Sequence, residues 1–244
     1  MKVVAIIQAR MGSARLPGKV LKKIKGETVL SHVINRVSKT KNVDNIVIAT
    51  TIQKDDDQIV KEVTDLGHTV YRGSENDVLE RYYQATLQSS ANIIIRITSD
   101  CPLIDPIVID EMVEVFINNN YSLVTNAGTD ASLRTFPRGL DVEIFSREAL
   151  EKAYINATLP YQREHVTPYI YENEAKIFYY KNKEDNSNHR WTLDTKEDYR
   201  LIEEIYNNLY MGEHNFYINE ILELFDKNKD LINLNAHIEQ KRIN

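Results

Sequence analysis

Residues 3–21 of the chain read VVAIIQARMGSARLPGKVL. The five apolar residues Val3–Ile7 predict a strand that is buried on both of its faces. A polar segment follows, which contains two glycines and the cations Arg10, Arg15 and Lys19. Glycines let a backbone come close to a phosphate and present N–H groups to it. The stretch therefore predicts a strand followed by a loop that binds a triphosphate.

The spacing within this loop excludes the P-loop of ATPases, which reads G-x-x-x-x-G-K-[ST]. Five residues instead of four separate Gly12 from Gly18, and Val20 stands where the P-loop has its Mg²⁺-binding Ser or Thr. A solvated basic turn is the alternative interpretation. Three cations at the ligand end of the first strand favour phosphate binding, because the fork of an arginine grips two oxygens at once.

Outward from this stretch, apolar runs alternate with amphipathic segments. The predicted strands are Val3–Ile7, Asn45–Ala49, Thr69–Tyr71, Asn92–Ile97 and Tyr121–Thr125, and the predicted helices cover 28–39, 59–66, 78–87 and 107–117. Such alternation predicts a parallel sheet that carries helices on both faces. In sheets of this kind, ligands bind at the carboxyl ends of the strands.

The second half of the chain has a less regular pattern. We predict a loop over 129–139, strands over 141–145 and 176–180, helices over 146–157 and 160–172, and two more helices within 194–226. No linker separates this half from the first, so residues 1–244 are predicted to form a single domain. Within it, residues 127–190 would form a small inserted strand–helix excursion, and residues 227–244 a polar tail.

Composition restricts the class of protein. A hydrophobic content of 42% fits an ordinary globular chain, and 30 Lys and Arg against 36 Asp and Glu argue against a general nucleic-acid binder. The single cysteine, Cys101, excludes a disulfide framework and predicts a packing residue. No apolar run approaches the ~18 residues of a membrane span. We expect a soluble, cytoplasmic protein without a membrane or nucleic-acid partner.

The segment Ile7–Leu21 resembles the signature of the cytidylyltransferases that make CMP-Kdo and CMP-sialic acids. It is most similar to the branch of spore coat polysaccharide biosynthesis protein F, and Gln8 stands where the Kdo and sialic acid enzymes usually have proline. The resemblance extends to about residue 203. It implies a three-layer, Rossmann-like α/β fold with a mostly parallel sheet, as in nucleotide-diphospho-sugar transferases. It also implies CTP as the nucleotide and a sugar-type acceptor.

Within the loop, the resemblance implies a set of residues that contact the nucleotide. These are Ala9, Arg10, Gly12, Ser13, Arg15 and Lys19. Arg10, Arg15 and Lys19 would also be catalytic, because they would stabilise the negative charge on the phosphates. A second nucleotide segment follows the strand at 69–71, where Arg72, Ser74 and Asp77 would line the base and ribose. For Asp77, the alternative is a cap on the helix over 78–87.

Two aspartates are candidate metal ligands. Asp100 follows the predicted strand Asn92–Ile97, where a carboxylate could bind Mg²⁺ together with phosphate, or could cap the next helix. Asp194 ends a short apolar stretch, and its alternative is an N-cap with Glu197 in the capping-box position. The resemblance implies that Asp100 and Asp194 hold Mg²⁺ and that Asp100 is catalytic. We predict Asp198 on the surface of the following helix.

A third group of polar residues predicts contacts with the acceptor. Asp141 and Glu143 would share one face of a strand, and Arg138 could meet a carboxylate or phosphate of the sugar. The alternative is an exposed polar strand face. The resemblance adds Arg163, Glu164 and His165 to this group, although a hydrogen-bonded structural residue is the alternative for His165. His189 and Arg190 are added because they stand just before Asp194. The many tyrosines of the second half predict packing or a homodimer interface, where Tyr is enriched.

Three other functions remain open at this point. One is a nucleotidylyltransferase that uses a sugar phosphate and another NTP, with Arg138 and Arg163 on that phosphate. Another is a glycosyltransferase that uses a nucleotide-sugar. Its usual Asp-x-Asp spacing occurs at Asp55–Asp57, inside a polar run that predicts a solvated helix start. The last is a non-catalytic nucleotide-binding protein, which the combination of loop cations and aspartates disfavours.

Overall fold

The computed structural model describes residues 1–239. Its strands are β1 Val3–Gln8, β2 Lys23–Ile24, β3 Glu27–Thr28, β4 Asn45–Thr51, β5 Thr69–Gly73, β6 Ile93–Thr98, β7 Leu123–Thr125, β8 Glu143–Ser146 and β9 Ile177–Tyr179. Seven of them form one sheet in the order β5-β4-β1-β6-β8-β7-β9, and β2 pairs with β3 in a separate hairpin. The predicted strand at residues 3–7 therefore lies in the middle of the sheet.

Helices cover both faces of the sheet. They are α1 Val29–Val37, α2 Asp57–Asp65, α3 Val78–Ser89, α4 Pro106–Asn118, α5 Arg147–Asn156, α6 Pro160–His165, α7 Pro168–Asn173, α8 Lys196–Leu209 and α9 Ile218–Lys227. Alternate residues of β1 enter two separate cores, because successive side chains of a strand point to opposite faces. Ala5 belongs to the core that also contains side chains of α1, α2, α4, α8 and α9, and Ile6 belongs to the core that contains side chains of α3, α5 and the α6–α7 region. The predicted three-layer α/β fold is confirmed.

Strand direction matches the prediction of a mostly parallel sheet. β1, β4, β5 and β6 run parallel, whereas β8 runs antiparallel between β6 and β7. The sequence did not indicate this reversal, because a buried strand is a continuous apolar run in either direction. β8 belongs to the excursion predicted over 127–190. Through this strand the excursion joins the main sheet between β6 and β7.

The helix predicted over 160–172 is wrong as a single element. It is two short helices, α6 and α7, separated at Val166, whose φ is +73°. Pro168 is the first residue of α7, where its missing N–H costs no hydrogen bond, but it could not stand inside a continuous helix. The hairpin β2–β3 was also missed, since each of its strands has only two residues.

The segment 227–244, predicted as a polar tail, is described as far as residue 239. Residues 229–234 form a 3₁₀ helix, and the Asn235 side chain is buried. Residues 240–244 of the predicted tail lie outside the described residues. Over residues 1–239, none of the helices combines the length and apolar character needed to cross a membrane.

Candidate active site

The loop after β1 carries its cations to the carboxyl edge of the sheet. Two hydrogen bonds fix its backbone: Gly18 N–H donates to the Met11 carbonyl over 3.1 Å, and Met11 N–H donates to Asp56 Oδ1 over 2.7 Å. Gly18 has a φ of +66°, a conformation that glycine adopts without strain. Asp56 is buried and also accepts a hydrogen bond from the Thr51 hydroxyl. The prediction that this run of aspartates is a solvated helix start is therefore wrong for Asp56.

Two predicted metal ligands meet at one cation of the loop. Lys19 Nζ lies 2.6 Å from Asp100 Oδ2 and 2.8 Å from Asp194 Oδ1. Arg15 Nη2 lies 2.9 Å from Asp194 Oδ2. Asp100 reaches this place because it follows β6, which pairs with β1 in register. Topology therefore brings together charges that are far apart in the sequence.

Mutual attraction keeps Lys19 and Asp100 charged. Burial by itself would lower the pKa of Lys19, but the charges of Asp100 and Asp194 outweigh it and raise that pKa above 10.5. Burial by itself would raise the pKa of Asp100, but the Lys19 charge and hydrogen bond hold it below 3.8. Both groups are ionised at neutral pH.

Asp194 does not cap α8, so its carboxylate is free to contact the cationic loop after β1. Thr195, not Asp194, is the N-cap: its hydroxyl accepts a hydrogen bond from Asp198 N–H over 3.2 Å, and Asp198 accepts one from Thr195 N–H over 3.0 Å. The capping box proposed for Asp194 and Glu197 is therefore wrong. The prediction of Asp198 on the helix surface is also wrong, because its side chain is fully buried.

Arg190, predicted to bind the acceptor, bridges two aspartates. Its Nη2 lies 2.9 Å from Asp194 Oδ2, and its Nε lies 2.9 Å from Asp198 Oδ1. Burial by itself would lower the pKa of Arg190, but Asp198 and Asp194 outweigh it and raise that pKa. Asn235 donates to Asp198 Oδ1 over 2.9 Å and to the Arg190 carbonyl over 2.8 Å. The guanidinium therefore orients the Asp194 carboxylate.

The chemistry of Asp100 and Asp194 fits a divalent cation. Both are carboxylates on adjoining segments, since Leu193 N–H donates to the Asp100 carbonyl over 2.8 Å. Mg²⁺ prefers one or two carboxylates and takes its other ligands from water and phosphate. A single ammonium group, that of Lys19, already contacts both carboxylates. The pair is therefore arranged to share one positive charge.

The other predicted residues of the loop have distinct environments. Ala9 is buried, and its N–H donates to the Ala49 carbonyl over 3.2 Å, which extends the pairing of β1 with β4. Gly12 is exposed, and Ser13 Oγ accepts from Leu16 N–H over 3.4 Å. Arg10 Nη1 lies 3.3 Å from Glu75 Oε1. Glu75 thus links the loop to the second predicted nucleotide segment.

That second segment follows β5. Arg72 donates to the carbonyls of Thr51 and Gln53 over 2.9 and 3.0 Å, and its Nη1 lies 2.7 Å from Asp57. Its guanidinium therefore fastens β5 to the turn after β4. Ser74 is exposed.

Asp77 caps α3, so the alternative interpretation is confirmed. Its Oδ1 accepts from Glu80 N–H over 2.9 Å. Its Oδ2 lies 2.7 Å from Arg163 Nε, which ties α3 to α6. The same Arg163 donates to the Tyr154 and Ala157 carbonyls. Both side chains predicted to contact ligands therefore make structural contacts with each other.

The two carboxylates predicted on one strand face have different partners. β8 begins at Glu143, so Asp141 precedes the strand and forms a two-point pair with Arg134 at 2.6 and 3.2 Å. Glu143 is buried and contacts Arg96 Nη1 at 2.6 Å. It also accepts hydrogen bonds from Thr167 at 3.0 Å and Tyr171 at 2.7 Å. The prediction that both carboxylates lie on one strand face is therefore wrong, and the alternative of an exposed polar face is wrong for the buried Glu143.

Three predicted acceptor residues line one cavity of about 130 Å³: Arg138, His189 and Arg190. The Arg138 N–H donates to the His189 carbonyl over 3.0 Å, which holds their two segments together. The His189 ring packs against Phe225 and Trp191, and burial lowers its pKa. Elsewhere, Glu164 is exposed and His165 is half-buried on α6.

Fold and site together define a nucleotidyltransferase, with a cationic loop and two aspartates at the carboxyl edge of a mostly parallel sheet. A family model described as Cytidylyltransferase matches residues 4–231. The chain belongs to the cytidylyltransferase family, which confirms the resemblance of Ile7–Leu21. A Mycobacterium tuberculosis protein whose structure is a complex with manganese shares the fold, with 14% identity and a TM-score of 0.59 over 84% of this chain and 99% of that one.

Similar proteins cover nearly the whole chain. An uncharacterized protein of Methanocaldococcus jannaschii is 42% identical over 99% of this chain and 97% of its own length. Spore coat polysaccharide biosynthesis protein SpsF of Bacillus subtilis is 33% identical over 93% of this chain and 95% of its own. A cytidylyltransferase structure from Leptospira borgpetersenii serovar Hardjo-bovis is 38% identical, with a TM-score of 0.89, and covers 99% of this chain and 100% of that one.

A more distant structure shares the fold. It is a CMP:2-keto-3-deoxy-manno-octonic acid synthetase complexed with CTP, 18% identical, with a TM-score of 0.66 over 85% of this chain and 99% of that one. The likeness supports the nucleotide-diphospho-sugar transferase type of fold predicted from the sequence.

Four residues of the site were missed by sequence reasoning: Asp56, Glu75, Asp198 and Asn235. Asp56 and Asp198 stand in charged helix starts, which are usually solvated, so their local pattern carries no signal for burial. The one available signal was the Thr195-x-x-Asp198 spacing, which is an N-terminal capping pattern.

Proposed function

We propose that the protein transfers a cytidylyl group from CTP to a hydroxyl of a sugar-type acceptor. The hydroxyl attacks the α-phosphorus, the bond to the β-phosphate oxygen breaks, and pyrophosphate leaves with a CMP-sugar as product. The observation that carries the proposal is the convergence of Lys19, Asp100 and Asp194 beside Arg15. Such a transfer needs positioning and charge stabilisation rather than a protein nucleophile.

The cations of the loop would hold the triphosphate. The side chains of Arg10 and Arg15 are 48% and 40% exposed, so both can reach a ligand. Lys19 would exchange its contact with the aspartates for one with a phosphate oxygen. The backbone of Ala9, Gly12 and Ser13 would pass close to the phosphates.

Asp100 and Asp194 would hold Mg²⁺, with Arg190 orienting Asp194. The ion, when bound, supplies positive charge that stabilises the phosphates as charge develops on them. Asp100 would act as a catalytic residue through this contact, and Arg190 as a positioning residue.

The base and ribose would lie near Ser74, which is exposed on the segment after β5. Arg72 and Asp77 would contribute by fixing this segment against the turn after β4 and against α6. Cytosine as the base rests on family membership.

The acceptor would bind near the cavity of Arg138, His189 and Arg190. Arg138 is the residue of this cavity suited to a carboxylate or phosphate on the sugar. Glu164 and His165 on α6 stay predictions for the same role. An indirect role in acceptor binding is proposed for Asp141, Glu143 and Arg163. Their ion pairs would hold the segments around the acceptor in place. A cytoplasmic homodimer also stays a prediction.

The test is pyrophosphate release with Mg²⁺ and each of the four NTPs, across acidic sugars and sugar phosphates. Of the four NTPs, we expect only CTP to give pyrophosphate release, and we expect the Asp100→Ala variant to lose this release. Asp65→Ala, on the exposed end of α2, is the matched control and should keep the activity.

Three outcomes would contradict the proposal or one of its parts. Release with another NTP and a sugar phosphate would favour a different nucleotidylyltransferase. Failure to bind any NTP in the presence of Mg²⁺ would remove the assignment of the loop to phosphate binding. Unchanged release in Asp100→Ala would remove that residue from the catalytic site.

A further inference from the structure

A cluster of three ligand-type side chains lies outside the candidate active site. Glu27 is on β3, His32 on α1 and His214 in the loop between α8 and α9. One donor atom of each lies within 4.8 Å of the other two. Both histidines are buried, at 0% and 4% exposure. None of the three has a role in the proposed transfer reaction.

The hydrogen bonds of His32 fix its tautomer. Its Nε2 lies 2.9 Å from the Ile24 carbonyl oxygen, which can only accept, so Nε2 carries the proton. The Nδ1 atom is therefore left with a lone pair, and it lies 2.9 Å from His214 Nε2. A metal-ligating histidine typically donates one ring N–H to a carbonyl and binds the ion with its other nitrogen. His32 has this arrangement, and the nitrogen that would bind the ion faces a second possible ligand atom.

The Glu27 carboxylate is oriented in the same way. It accepts hydrogen bonds from the Tyr210 hydroxyl, from Ser31 Oγ at 3.2 Å and from Asn35 Nδ2 at 2.9 Å. Such outer contacts hold a ligating carboxylate in place.

We propose that Glu27, His32 and His214 bind a Zn²⁺ ion or a similar transition-metal ion. Two imidazoles and one carboxylate form a zinc donor set, and a fourth position remains for water. Mg²⁺ and Ca²⁺ are disfavoured because they require oxygen ligands. This site is thereby distinct in chemistry from the all-carboxylate pair of Asp100 and Asp194.

The protonation states agree with this assignment. Burial lowers the pKa of both histidines, that of His214 to about 4. Burial by itself would raise the pKa of Glu27, but the Tyr210 hydrogen bond and the nearby histidines lower it overall. At neutral pH the cluster therefore offers two neutral imidazoles and one carboxylate, as metal binding requires.

Binding requires a small movement of the rings. Two nitrogens held at about 2.0–2.1 Å from a tetrahedral Zn²⁺ are roughly 3.3 Å apart. His32 Nδ1 and His214 Nε2 lie 2.9 Å apart, so they would separate by a few tenths of an ångström. His214 would at the same time change to its other neutral tautomer, giving up the Nε2 proton to solvent and taking one up at Nδ1. The loop that carries His214 would supply this movement.

The ion would serve as a structural link. His214 lies 182 residues from His32 along the chain, and Glu27 belongs to the hairpin that follows the cationic loop. An ion that binds only the folded chain stabilises it by mass action. The site would therefore fasten the start of α1 and the hairpin to the loop before α9.

The experiment uses the full chain without a histidine tag, freed of metal by a chelator. Co²⁺ is added first, because its visible absorption reports nitrogen ligation, and Zn²⁺ is then used to displace it. We expect one Co²⁺ per chain with this absorption, displacement of that ion by one Zn²⁺, and a higher Tm with Zn²⁺. His214→Ala should abolish the absorption, and Tyr210→Phe should weaken binding by about tenfold.

Control variants separate this site from the active site. His237→Ala, at an exposed histidine, and Asp100→Ala should keep the Co²⁺ absorption unchanged. Glu27→Gln should lose it while the far-ultraviolet circular dichroism stays that of the wild type, which distinguishes loss of a ligand from loss of the fold. The proposal is overturned if the wild-type chain gives no such absorption, or if His214→Ala binds Co²⁺ as the wild type does.

Discussion

The carboxyl edge of β1 and β6 differs from the segment 127–190 in how its charged residues are used. At the sheet edge, Lys19 and Asp100 are partly exposed and contact each other at 2.6 Å. In the later segment, Glu143 is buried against Arg96, and Arg163 is bonded to Asp77. Both regions look equally polar in the sequence. Charged residues that follow neighbouring parallel strands meet at the open edge of the sheet. Charged residues in an irregular segment more easily form ion pairs that are buried inside the fold.

The largest effect on activity is expected at the sheet edge. Asp100→Asn removes a charge from the proposed metal pair, so kcat/KM for CTP-dependent pyrophosphate release should fall by about 10³-fold or more. Glu143→Gln, in the other region, should lower it far less. Steady-state kinetics on both variants checks this difference, and equal losses would contradict the division of roles.

The largest effect on stability is expected in the other region. Glu143→Ala leaves the Arg96 guanidinium, whose side chain is only 17% exposed, without its carboxylate, and breaking a largely buried pair in this way costs about 3–5 kcal/mol. Urea unfolding measures the loss. Lys227→Ala, which removes an exposed pair with Glu223, is the control and should change stability by less than about 0.5 kcal/mol. A Glu143→Ala loss as small as the control's would show that the buried network is not structural.

An intermediate effect is expected at Asp56, which connects the loop to the fold. Asp56→Ala leaves the Met11 N–H without its acceptor, and the unfolding free energy should fall by about 1–3 kcal/mol. Because the loop is then less ordered, KM for CTP should rise by about tenfold, with a smaller change in kcat. Asp55→Ala, at the exposed neighbour, should alter neither quantity. A kcat loss without a KM change would place Asp56 in the chemical step.

The smallest effect is a pH dependence of stability that originates in the Lys19 cluster. The pKa of Asp100 is lowered in the fold, so its contribution is complete above 3.8 and is lost as pH falls through the folded value. The pKa of Lys19 is raised, so its contribution is complete below 10.5 and is lost as pH rises through the folded value. The wild-type urea midpoint should therefore fall at both extremes. The double variant Lys19→Met, Asp100→Asn should show flatter limbs, and identical profiles would contradict the coupling.

Most of the central sheet could be predicted from the sequence, because local patterns of apolar residues identify its strands. The run Val3–Ile7 and its successors at 45–49 and 93–97 are apolar enough to identify central strands. Strand–helix alternation then fixed the parallel core and the edge at which ligands bind. Lys19 and Asp100 could be grouped for this reason before any distance was known, whereas Asp194 joined them only through the resemblance to the cytidylyltransferases.

Tertiary structure alone decided which polar groups are buried. Asp56 and Asp198 stand in charged helix starts, and only their partners, Met11 N–H and Arg190, make burial favourable. The reversed direction of β8 likewise depends on which neighbours it pairs with, and apolar content is the same in both directions. The sequence by itself determined the central parallel strands, the cationic loop after the first of them and the carboxylate that follows β6. Partner choice among the remaining charges depended on three-dimensional distances, because the electrostatic energy of a pair depends on separation and solvent exposure rather than on spacing along the chain.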